Sequence, residues 1–171
     1  MFELRPISNE AIPRAIAKAE RYRLLNEPQE AESICRDVLK VDPDNQDVLI
    51  MLLLALTDEF AHGSEVGVDG AQEVLRKLRG EYERAYYAGI VCERWVKAQL
   101  KGGARSGNVS GWLLEAMDWY EKAQRLSPPG NDDAILRWNA CVRFLDRYRD
   151  LLPVAEQAGE EAGFSDGSPL R

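Results

Sequence analysis

Histidine is nearly absent: a chain of 171 residues carries one, His62. One imidazole cannot build a histidine-centred catalytic triad or a multi-histidine metal site from this chain alone. Placed in a predicted loop, it reads as an ordinary solvated side chain. Cysteine is scarce too. Cys35, Cys92 and Cys141 are odd in number and widely spaced, and each falls on an apolar position of a helical pattern. They read as reduced, core-packed thiols rather than a disulfide framework. The sequence has no CxxC pair, no HExxH and no Gly-rich loop ending in Gly-Lys-Ser or Gly-Lys-Thr, so the common metal, protease and phosphate-binding signatures are missing.

Long apolar runs are missing as well. The longest, "VLIMLLLAL" from Val48 to Leu56, falls far short of the roughly 20 residues that span a bilayer, so no membrane partner is expected. The opening "MFELRPISNEAIPRAIAKAERYR" lacks the apolar centre of a secretory signal, and a cytoplasmic location is the expectation. Positive charge is also in deficit, with 22 Lys and Arg against 29 Asp and Glu, a net of −7. Nucleic-acid binding draws on clustered cations that release counterions, so a nucleic-acid partner is not expected.

What the sequence does have is helical periodicity. Apolar residues recur near a 3.6-residue spacing along almost the whole chain, and period-2 alternation is absent, which predicts an all-α fold of about seven helices. The helices are expected from about Asn9 to Leu25, Pro28 to Val41 and Asp47 to Phe60, then a short one in "DGAQEVLRKLRG". Three more follow from Glu81 to Leu100, Ser110 to Leu126 and Asp132 to Asp150. Pro13 is tolerable only in a first turn. Pro43 and Asn45 end one helix and open the next, and Asp69 with Gln72 has capping-box spacing. Residues 1–150 read as one helical domain of ordinary size. The tail 151–171 has no apolar period and reads as frayed or disordered.

The stretch "EAESICRDVLKVDPDN", Glu30 to Asn45, sets Ala31, Cys35 and Val38 on one helical stripe before Pro43. The spacing returns as Ala116, Tyr120, Ala123 and Pro128, and more weakly as Ala71, Leu75 and Leu78 without a proline. This pattern resembles the second helix of a tetratricopeptide repeat, whose units run to about 34 residues. The resemblance covers roughly Asn9 to Asp150 as three units and a closing helix, and it implies stacked antiparallel hairpins in a right-handed superhelix. Two departures stand out. Pro43 and Pro128 lie 85 residues apart where two units give about 68, so "AHGSEVGV" and "KGGARSGNVSG" are expected to be insertions. In the first helix, only Ala19 and Tyr22 suit the family's preferences, while in the fifth Gly89 and Cys92 take the corresponding places.

The resemblance further implies a non-enzymatic adaptor or scaffold without cofactor, binding a protein or peptide segment on a concave face lined by the first helix of each pair. On that stripe the expected partner-binding residues are Glu20, Arg23, Thr57, Asp58, Tyr86, Glu93, Arg94, Asn139 and Arg143, with Ile16, Ile50, Leu54 and Ile90 between them. The clamp by which some relatives hold acidic chaperone C-termini uses Lys, Asn and Arg where this chain has Ile16, Glu20, Leu54, Tyr86 and Ile90, so that mode is not expected. An apolar middle with Arg and Glu edges suits an amphipathic helix or extended apolar peptide. The alternative is a structural protein that self-associates into a homo-oligomer through the apolar third helix and the tryptophan-bearing helices. An enzyme would need an unrecognised carboxylate site near Glu93 and Asp146. Trp119 and Trp138 read as core, Trp95 and Trp112 as packing beneath the Gly-rich loop, whose own role stays open.

Overall fold

Pro13 decides where the first helix can begin. A 3-10 turn, Asn9–Ala11, leads into α1, Ile12–Leu24, so the proline falls in the first turn, where it has no hydrogen bond to break. Asn26, at a φ of 61°, ends the helix in the left-handed conformation that asparagine tolerates, and Glu27 N–H closes back on Tyr22 O at 2.9 Å. Helix α2, Pro28–Val41, starts on its own proline. The "DPDN" break then works as its residues dictate. Asn45 Oδ1 accepts from Val48 N–H at 3.1 Å and caps α3, Gln46–Asp58, while its Nδ2 donates to Asp42 at 2.9 Å.

A 3-10 turn, Glu59–His62, prolongs α3. Helix α4, Gly67–Leu75, begins two residues before the predicted capping box, which leaves Asp69 inside the first turn rather than at the cap. Helices α5, Glu81–Lys101, α6, Val109–Leu126, and α7, Asp133–Arg147, follow. The computed structural model describes residues 2–62, 67–103 and 109–148. Residues 104–108 of the Gly-rich loop, the predicted end of the last helix at Asp150 and the tail 151–171 lie outside them. The fold is all-α with seven α-helices and no strand among the described residues. None of the helices is long and apolar enough to cross a membrane.

Each helix packs mainly on the next in sequence, and α3 also touches α1 and α5. The periodic stripes face inward: Ala31, Cys35 and Val38, Ala116, Tyr120 and Ala123, and Ala71 with Leu78 are all buried. Leu78 does so from beyond the end of α4. Two cores result. Helices α1–α4 enclose Val38, Leu49, Leu53 and Leu56, and α5–α7 enclose Ile90, Val96, Leu113 and Tyr120. Helix α5 belongs to both, with Val91 in the first and Ile90 in the second. Trp95, expected beneath the Gly-rich loop whose residues 104–108 lie outside the described residues, packs edge-on against Phe60, ring centroids 5.4 Å apart, in the first core. Apolar α3 is spent on that core too, with Val48, Leu49, Leu52, Leu53 and Leu56 buried.

The three thiols are buried and free, and burial pushes each up to about 12. A protein whose folded thiols hold their protons to about pH 12 while unfolded ones release them near pH 9 keeps this stabilisation in full below pH 9 and loses it as the pH rises further. Unfolding midpoints in urea should therefore fall between pH 9 and pH 11. A thiol-reactive dye at pH 8 should label none of the three until the chain is denatured; prompt labelling of any one would contradict its burial.

Candidate functional site

The side chains expected on the inner stripe converge, but on an internal network. Asp58 ends α3 with both carboxylate oxygens engaged. Oδ2 accepts from Arg23 of α1, Nε and Nη2 each at 2.8 Å, and Oδ1 accepts from Arg94 Nη1 of α5 at 2.5 Å. The same Arg94 nitrogen donates to Thr57 Oγ1 at 2.7 Å and Leu54 O at 3.1 Å, and Thr57 donates its own hydroxyl hydrogen to Leu54 O at 2.9 Å. Met51 Sδ lies 3.9 Å from Arg23 Nη1. One carboxylate thus ties three helices side by side. Burial pulls the Arg94 guanidinium down from its ordinary range and the charge of Asp58 opposes it. Arg23, Asp58 and Arg94 remain 18–25% exposed, so the network has a solvent-facing edge.

A second cluster carries the line from α5 to α7. Glu93 is 1% exposed, and Oε2 accepts from Tyr120 O–H of α6 at 2.6 Å. Its Oε1 pairs with Lys97 one turn on and lies 3.6 Å from Arg137 Nη1 of α7. Burial works against the charge on Arg137, but a hydrogen bond to Tyr86 and the charge of Glu93 outweigh it and raise its pKa above the ordinary value. Burial, then the charge of Glu93, push the Tyr120 phenol well up, so it stays protonated and donates. Tyr86 sits half-buried, stacked on Tyr82 with centroids 5.8 Å apart and edge-on to Tyr87 at 5.1 Å.

Of the nine residues expected to touch a partner, Arg23, Thr57, Asp58, Arg94, Glu93 and Tyr86 are drawn into these two clusters. Thr57 and Glu93, 3% and 1% exposed, lie beneath the surface and act by fixing Arg94, Lys97 and Arg137. Glu20 is exposed one turn before Arg23 on the same face of α1. Asn139 and Arg143 do not join: they follow Arg137 by two and six residues, about 200° and 240° round the helix, on the far side of α7. Arg137, Lys97 and Tyr120 complete the site instead. Tyr120 could have been found from its place on a stripe of small residues, since a buried phenol needs a partner. The apolar middle of the stripe is largely core: Ile90 is buried, and Leu54, Ile50 and Ile16 are half-buried against the two cores. Among the described residues no three His, Cys, Asp or Glu side chains gather as metal ligands. Glu93 and Asp146 do not form a carboxylate pair, since Glu93 is sealed among Tyr120, Lys97 and Arg137 while Asp146 is exposed.

Compared with models of protein families, with curated proteins and with solved structures, the chain matches none at a significant level.

Proposed function

We propose that the chain is a non-enzymatic adaptor of tetratricopeptide type, which holds a segment of another protein along the face formed by α1, α3, α5 and α7. The observation that carries this reading is the line of ion pairs from Arg23 through Asp58 to Arg94 and from Glu93 to Arg137. It joins alternate helices of the chain into one surface. Charged heads pinned by neighbours lose little freedom on binding, so such a surface is organised before a partner arrives. Both signs reach solvent there, Glu20 and Asp58 beside Arg94, Lys97 and Arg137, which suits a segment of mixed charge. The self-associating alternative loses one of its two surfaces, because apolar α3 is largely spent on the first core.

The test is a comparison of the proteins retained from a cell lysate by the immobilised chain and by two variants. Glu20→Ala with Lys97→Gln and Arg137→Gln alters the face, and Asn139→Ala with Arg143→Ala alters the far side of α7. The first should lose partners roughly tenfold while the second keeps them. Both should melt cooperatively. Retention undiminished in the face variant would overturn the assignment of the face.

A further inference from the structure

A second surface lies on the other side of α5. Ala85 precedes Arg94 by nine residues, about two and a half turns, so the two residues point in opposite directions from the helix axis. Ala85 and Ala88 form the floor of a groove of about 520 Å³ between the end of α4 and the last turns of α6. Both alanines are buried, and their small side chains let the walls stand above them. Leu75 from α4 and Trp119 from α6 supply apolar wall.

The rim is predominantly positive. Arg76, Arg84, Lys122 and Arg125 line the groove against a single carboxylate, Glu81, a local net of +3 in a chain whose net is −7. These cations are only partly neutralised. Arg76 has no ion pair among the described residues, and Lys122 Nζ rests 5.0 Å above the Trp119 ring centroid. Arg84 is held by the turn before α5, donating to Leu78 O at 2.9 Å and Arg79 O at 2.7 Å, with Glu81 no nearer than 4.0 Å. Arg125 pairs with exposed Glu121 at 3.3 Å, a contact that solvent screens. An acidic protein that gathers four cations round an apolar floor has an attractive island in a repulsive field, and complementary charge steers a partner to such a place.

From this complementarity we infer that the groove binds an acidic amphipathic helix of a partner protein. One large apolar side chain would sit over Ala85 and Ala88 against Trp119, and flanking carboxylates would meet Arg76 and Arg84 on one side and Lys122 and Arg125 on the other. A helix laid in a groove reads out just such a pattern of an apolar anchor with charges beside it. The groove would act independently of the inner face, since no side chain of the Arg23–Asp58–Arg94 or Glu93–Arg137 clusters lines it.

The probe is a fluorescein-labelled synthetic helix with Leu at every fourth and third position and Glu flanking, read by anisotropy against the full chain. Micromolar binding that weakens with salt is expected. Lys122→Glu with Arg125→Glu should weaken it roughly tenfold or more, while the inner-face variant Glu20→Ala, Lys97→Gln, Arg137→Gln should bind as wild type does, which separates this proposal from the inner-face reading. No binding, equal binding by the charge-reversed chain, or equal binding of a probe with Lys for Glu would overturn it. Polyglutamate binding as tightly as the probe would overturn it too, by removing the apolar floor from recognition. Binding lost only in the inner-face variant would reassign the site.

Discussion

Replacing Tyr120 with alanine should lower the unfolding free energy by about 4 kcal/mol, the range expected when a large buried ring is truncated and its space only partly refills. The ring is fully buried at the centre of the second core, where α5, α6 and α7 meet. Tyr120→Phe keeps the ring and removes only the donor to Glu93, so it should cost about 1–2 kcal/mol. The same ring explains Gly89. A Cβ on Gly89 would lie 2.5–2.9 Å from three Tyr120 ring atoms, closer than any real contact. The ring cannot step aside while its hydroxyl is held by Glu93 at 2.6 Å. Gly89→Ala gains about 1 kcal/mol of helix propensity and loses about 1–3 to overpacking, so a net loss is expected. Combined with Tyr120→Leu it should cost less than the two changes summed, because the second relieves the clash of the first. Denaturant unfolding of the four proteins checks this. Strict additivity would mean the two residues do not touch.

How far the sequence reveals this follows from which signals are local. Proline, asparagine and small-residue spacing act within a turn or two, so Pro13, Pro28 and Asn45 set helix starts, and the Ala31 and Ala116 stripes were legible as buried faces. Asp69 misled because a capping box is only a preference and the helix found an earlier start. The rotation of α7 was not legible at all. It is set by packing on α5 and α6, and a helix of mixed surface such as this one fits several rotations until Cys141 and Ala134 find their neighbours. That is why Arg137, rather than Asn139 or Arg143, reaches Glu93. The burial of Glu93 was hidden for a similar reason: four residues before Lys97 it has the spacing of a surface ion pair, and only Tyr120, 27 residues on, turns the carboxylate inward. The basic groove escaped notice because its cations are scattered along the chain, Arg76 in the turn after α4, Arg84 in α5 and Lys122 with Arg125 in α6, and only the packing gathers them.

Asp58→Ala should have the other large effect, about 2–3 kcal/mol of stability, because it leaves Arg23 and Arg94 facing each other with no anion between them. Breaking one partner of a buried ion pair costs about 3–5 kcal/mol, and the partial exposure here reduces that. The repulsion left behind is electrostatic, so added salt should recover part of the loss in the variant while changing the wild type less. Asp58→Asn keeps an oxygen that can accept from one guanidinium and should cost about half as much. The informative comparison is with Arg23→Met, Asp58→Leu and Arg94→Met together, which replaces the whole network by apolar groups of similar volume. Such replacements restore or exceed the original stability when a network serves only to hold helices together. Urea unfolding of the triple variant should therefore sit near wild type. Its retention of partner proteins should nevertheless fall, because the charged heads at the solvent-facing edge are gone. A stable triple variant that still holds the same partners would mean that the network organises helices and the partner is read elsewhere on the chain.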